Sequence, residues 1–231
     1  MASMASRKTQ PTKGPAAKST AAKSTAAKST AAQGGDLDRR IVDRTLALAG
    51  EVGWSRVRLR RVAADLGIPL ADLRARFRDL DAVADAWFAR ALAAMLAAPE
   101  AGFADLPARE RVYLVMMRWF EAQRAERAVV GEMLSAKLYP SHPHHWVPMV
   151  FSLSRLIQWL REVAALDAAA GRRQVEEVGL TLLFLATLGV WLRDESADLA
   201  ATRRFLRRRL GDADRLLAAL PQARRRGAKA A

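Results

Sequence analysis

At 231 residues, half of them apolar, the chain is long enough to enclose a substantial core, which excludes a wholly disordered protein, and its lack of cysteine excludes disulfides, thiolate catalysis and cysteine-based zinc sites. The formal net charge of +14 sits largely at the ends: residues 1–35 hold six basic side chains and no acid, and residues 221–231 hold four more. The remaining body sets 28 basic against 24 acidic residues, so attraction to a polyanion is expected chiefly of the tails and should weaken with salt.

Alanine, leucine and arginine dominate while β-branched and aromatic residues are sparse, which favours an all-α fold of about nine helices. Residues 16–30 are three copies of Ala-Ala-Lys-Ser-Thr. With almost nothing to bury, residues 1–35 are expected to form a disordered basic arm. Order should begin at Asp36, an N-cap for a first helix carrying Leu37, Ile41, Leu46, Leu48 and Val52 and ending at Gly53. A second, short helix with Val57, Leu59, Val62, Ala63 and Leu66 is closed by Gly67. Pro69 suits the start of a third, Leu70 to about Arg76. Asp79 should cap a fourth, ended by Pro99. Further helices are expected from Asp105 to about Arg124, Glu126 to Tyr139, Pro148 to about Leu166, Gly171 to Leu192, and Ser196 or Asp198 to about Leu220. The longest apolar run, Val178 to Leu192, is 15 residues, short of a bilayer span, and no secretory signal precedes the body; a soluble, cytoplasmic protein without a transmembrane segment is expected.

Residues 57–77 read as helix, glycine-centred turn, helix, the arrangement that lets a second helix lie in a major groove. Leu59, Val62, Ala63, Leu66, Ile68, Leu73 and Phe77 would form the shared core. Arginines 56, 58, 60, 61, 74, 76 and 78 are left for the surface, where a guanidinium attracts phosphate or donates two hydrogen bonds to a guanine edge. The candidate DNA contacts are Arg56, Arg58, Arg60, Pro69, Leu70, Asp72, Arg74, Arg76 and Arg78.

From Ile41 to about Phe88 the order helix, Gly53-Trp54, Val62-Ala63-Ala64-Asp65-Leu66-Gly67-Ile68, Leu73, Phe77 and a long helix resembles the TetR family. The resemblance implies a homodimer that binds double-stranded DNA through residues 36–80 and responds to a small hydrophobic ligand or lipid held by residues 81–220, with 221–231 as a basic disordered tail. Arg58, Pro69, Arg74 and Leu80 stand where the family usually has a hydroxyl residue, a serine or threonine, a tyrosine and a lysine, which implies an atypical operator. Asp194, Ser196, Asp198, Thr202, Phe205, Leu206 and Arg209 resemble the closing motif of the lipid-binding accessory protein of ubiquinone biosynthesis, which shares the fold without acting on DNA.

Met116, Met117, Trp119 and Phe120, with Trp146, Phe151, Trp159, Leu183 and Thr187, are candidates for an apolar ligand pocket, since adaptable methionines and aromatics suit such a guest as well as they suit a core. Val190, Trp191, Phe205, Leu206 and Leu210 are candidates for a dimer seam. His142, His144 and His145 lie in a proline-broken stretch that lacks the converging ligands a metal needs. No nucleophilic triad, phosphate loop or cofactor motif is present, so neither an enzyme nor a cofactor is expected.

Overall fold

The computed structural model describes the backbone of residues 16–138, 146–168 and 170–219. Among them run α1 (Ala16–Val52), α2 (Leu59–Leu66), α3 (Leu70–Arg76), α4 (Leu80–Met95), α5 (Ala108–Glu121), α6 (Arg127–Lys137), α7 (Trp146–Val163), α8 (Ala170–Trp191) and α9 (Ala200–Ala219), with no strand. The all-α expectation is met. The bounds of α1 reach back to Ala16, ahead of the start expected at Asp36. Alanine and lysine are strong helix formers, and a helix already anchored by its C-terminal half needs no further nucleation to extend. The extension crosses Gly34 and Gly35, each costing about 1 kcal/mol relative to alanine. Arg76 of α3 grips this weak point: its Nη1 donates to the Gly34 carbonyl at 2.9 Å and to Asp38 Oδ1 at 2.6 Å.

The buried residues form two apolar cores. The first joins Ile41, Leu46 and Trp54 to Val62, Leu73 and Phe77, and is closed from outside the first three helices by Val83 and Ala84 of α4 and Val129 and Met133 of α6. The second gathers Met95, Met116, Phe120, Leu160, Phe184, Trp191 and Leu206. Trp87 and Phe88 on α4 touch both cores, and α6 likewise gives Val129 and Met133 to the first and Val130 to the second, so α4 and α6 link the two. Arg90 on α4 donates to the Arg39 carbonyl at 2.9 Å and pairs with Asp43, tying that helix to α1.

Helix α8 illustrates how an all-round apolar sequence is used. Leu180, Phe184, Thr187 and Trp191 recur at helical spacing on the buried side, while Val175, Val178, Leu182 and Leu185 remain exposed. Taken whole, Gly171–Trp191 is long and apolar enough to cross a membrane by length and composition, which the 15-residue run alone did not suggest. In the fold it packs against α7 and α9. Buried Arg161 of α7 fixes the first of these contacts by pairing with Glu177 at 3.1 Å and Glu176 at 3.6 Å on α8.

Candidate nucleic-acid interface

The turn between α2 and α3 closes by local chemistry. Gly67 adopts φ +66°, open to glycine at little cost, while its N–H donates to Ala64 O at 3.1 Å and the Ile68 N–H to Ala63 O at 3.0 Å, the paired bonds of a Schellman motif. Pro69 then occupies the N-cap of α3, and Leu73 and Phe77 are buried against the first core. Beyond α3, Asp79 caps α4 through its carboxylate, which accepts from the Ala82 N–H at 2.8 Å. Arg44 of α1 braces α2 by pairing with Asp65 at 2.6 Å.

With Leu73 and Phe77 as its inward anchors, α3 presents Leu70, Ala71, Asp72 and Arg74 to solvent. The candidate DNA residues divide by what holds them. Arg56, Arg60 and Arg74 are exposed and have no hydrogen-bond or ion-pair partner among the described residues. Arg58 turns back to its own chain, donating to the carbonyls of Ser55 at 3.0 Å and Val57 at 3.1 Å. Arg76 is committed to α1, an unexpected partner 38 residues away. Arg78 meets neighbouring Asp79 at 3.0 Å, an exposed pair that holds it weakly.

The expected ligand pocket is occupied by the protein itself. Met116, Met117, Trp119 and Phe120 are buried; Trp119 meets Phe184 edge-on at a centroid separation of 4.9 Å, Phe120 stacks on Phe184 at 5.5 Å, and Trp191 closes the cluster 5.7 Å from Phe120. Leu183 packs at its edge, and the buried Thr187 hydroxyl donates to the Leu183 carbonyl at 2.7 Å. Phe151 and Trp159, at 63% and 49% exposure, face away from it. The side chain of Trp146 and all of His142, His144 and His145 lie outside the described residues. Inside the cluster, the indole N–H groups of Trp119 and Trp191 are buried without a hydrogen-bond partner among the described residues. Open volume lies elsewhere: a groove of about 1020 Å³ runs between the end of α1 and α6, lined by Trp54, Arg56, Arg127, Glu132 and Arg193. A smaller space of about 440 Å³ lies between the α4–α5 connection and α5, and of the candidate pocket residues it touches Met117.

The candidate dimer residues are largely internal as well. Trp191, Leu206 and Leu210 belong to the second core, Val190 is half-buried, and Phe205 lies half-buried under Arg209. Exposed apolar side chains are found instead on α7 and α8, a surface the all-round apolar pattern did not single out.

The Asp194 motif proves to be a helix-capping network. The Asp194 carboxylate, 2% exposed, accepts from the Ser196 N–H at 3.0 Å, the Ser196 hydroxyl, the Thr202 N–H at 2.7 Å and the Thr202 hydroxyl at 2.6 Å. Burial alone pushes its pKa up, but these four donors outweigh burial and hold it at about 2. Within the loop they span, Asp198 and Leu199 sit at φ +54° and +55°, a left-handed region unfavourable to side chains.

The solved structures similar to this chain include two TetR regulators. A TetR transcriptional regulator from Nitrosomonas europaea ATCC 19718 shares 39% sequence identity at a TM-score of 0.69, over 78% of this chain and 98% of that one. A TetR transcriptional regulator from Rhodococcus sp. RHA1 shares 19% identity at a TM-score of 0.54, over 79% of this chain and 96% of that one, a likeness of fold. A family model described as COQ9 matches residues 178–217, the stretch that contains the Asp194 network. No curated protein matches the chain.

Proposed function

The chain belongs to the TetR family of transcriptional regulators, and we propose that it is a cytoplasmic, non-enzymatic homodimer that binds a two-fold DNA site through α3. The observation that carries this reading is the state of Arg74: it is exposed, without a partner among the described residues, on the outer face of a helix whose inner face is pinned by Leu73 and Phe77. A guanidinium so presented can reach a guanine edge without breaking an internal contact. Arg56 and Arg60 are free to take phosphate oxygens, whereas Arg76 is not. Selection of bound duplexes from a random-sequence pool tests the proposal. The parent should enrich a near-palindrome, and Arg74→Ala should cost about 1 to 3 kcal/mol on that site while relaxing preference at one position per half-site. Recovery of no preferred sequence contradicts it.

Dimerisation is assigned to the exposed apolar side of α8 with Phe151 and Trp159 of α7, because Trp191, Leu206 and Leu210 are already spent inside one chain. Ligand response, in this reading, requires the aromatic cluster around Trp119 and Trp191 to open for its guest. Their unpaired indole N–H groups favour a largely apolar molecule carrying a hydrogen-bond acceptor. The alternative, a lipid-binding accessory protein without specific DNA binding, is favoured by the COQ9 match to residues 178–217. The Asp194, Ser196 and Thr202 side chains in that stretch are engaged in capping, so the match speaks to shared architecture more than to a shared ligand. Lipid recovered by mass spectrometry from the purified protein, with no enriched duplex, would favour the alternative.

A further inference from the structure

The root of the basic N-terminal segment lies against the recognition helix. Gly34 and Asp38 are held by the side chain of Arg76, the last residue of α3, so the chain N-terminal to Gly34 departs from the end of the element assigned to the major groove. From there α1 extends 18 residues to Ala16, a length of about 27 Å, or on the order of eight base pairs of duplex. This stretch contains Lys18, Lys23 and Lys28 and no acid. Steps of five residues do not return to one face of a 3.6-residue helix, so the positions are distributed around it; that suits attraction to a polyanion and does not suit reading of base edges.

We propose that residues 16–33 form a sequence-neutral DNA arm, rooted on α3 by Arg76, that contacts the phosphate backbone flanking the site read by α3. The arm rests on the DNA-binding reading above and adds to it a second contact region that lengthens the footprint without changing its sequence. Arg76, a candidate DNA contact on sequence grounds, is held instead against the root of the arm.

The test compares the parent with the triple variant Lys18→Gln, Lys23→Gln, Lys28→Gln, which removes charge at nearly constant helix propensity. Two duplexes are used, a 60-base-pair one with the preferred site at its centre and one trimmed to that site. On the long duplex the slope of log affinity against log salt should fall by about 2.7 per arm, about five for a dimer using both. On the trimmed duplex the slopes should nearly coincide, base preference should be unchanged on both, and the corresponding triple arginine variant should behave as the parent. Equal slopes on the long duplex would overturn the proposal, as would a loss of the same size on the trimmed one or a shift in preferred bases. So would unchanged DNA slopes accompanied by arm-dependent binding to vesicles of anionic phosphatidylglycerol. If selection returns no preferred site, the regulator reading fails by itself, and the arm is judged by the same slopes on an arbitrary 60-base-pair duplex.

Discussion

Replacing Asp194 by asparagine tests whether the α8–α9 junction is held by a charge. Each carboxylate oxygen accepts from one backbone N–H and one hydroxyl, an arrangement an amide cannot match because whichever side its NH2 group took would face a backbone N–H. Its pKa is lowered from 3.8 to about 2, a difference worth about 2 kcal/mol of native-state preference for the ionised form. A lowered carboxyl pKa stabilises the fold at pH values above the unfolded pKa, and that stabilisation is lost as pH falls through the folded value. The variant should therefore be less stable than the parent by about 2 to 3 kcal/mol at pH 7, a drop of about 5 to 10 °C in melting temperature. The gap should narrow between pH 4 and pH 2. Strain at Asp198 and Leu199, held in the left-handed region, adds to what the network must offset. Urea unfolding followed by circular dichroism at pH 7, 4 and 2.5 measures the gap directly. A loss below about 0.5 kcal/mol at pH 7, or one that does not change with pH, refutes the argument.

Phe120→Ala opens the aromatic cluster, and should cost about 3 to 5 kcal/mol in denaturant unfolding unless the void is filled by ligand. Gly67→Ala, at φ +66°, should cost about 1 kcal/mol and loosen the α2–α3 angle, read as weaker binding to the selected duplex at unchanged base preference. Leu182→Asp, at a position 62% exposed in one chain, should convert the dimer to monomers in sedimentation equilibrium while circular dichroism keeps its helical signal. Retention of the dimer would move the seam away from α8.

Punctuation was the most legible part of the sequence. Gly67, Pro69 and Asp79 act through conformations and capping bonds within a few residues of themselves, so α2, α3 and the start of α4 fall where their chemistry places them. Leu73 and Phe77 were legible as anchors because their spacing matches one face of a short helix. Arg76 was not, since its partners Gly34 and Asp38 are distant in sequence and an arginine beside a predicted recognition helix looks the same whether it faces DNA or α1. On α8 the period itself carries no information: an all-round apolar helix does not reveal that Phe184 and Trp191 face inward while Leu182 faces out. The same ambiguity lets the buried side chains of α5 be read equally as core or as pocket lining. At Asp194 the spacing of Asp, Ser and Thr was a capping signal in plain view, legible from hydrogen-bonding capacity once the helix end is known.

The regulator account stands most directly on one ratio: the affinity of the full chain for its best selected duplex against a scrambled duplex of equal length and composition, by fluorescence anisotropy at about 150 mM salt. A ratio of about a thousandfold or more, reduced at least tenfold by Arg74→Ala, is the result predicted. A ratio near one, with the protein folded and dimeric, would contradict it.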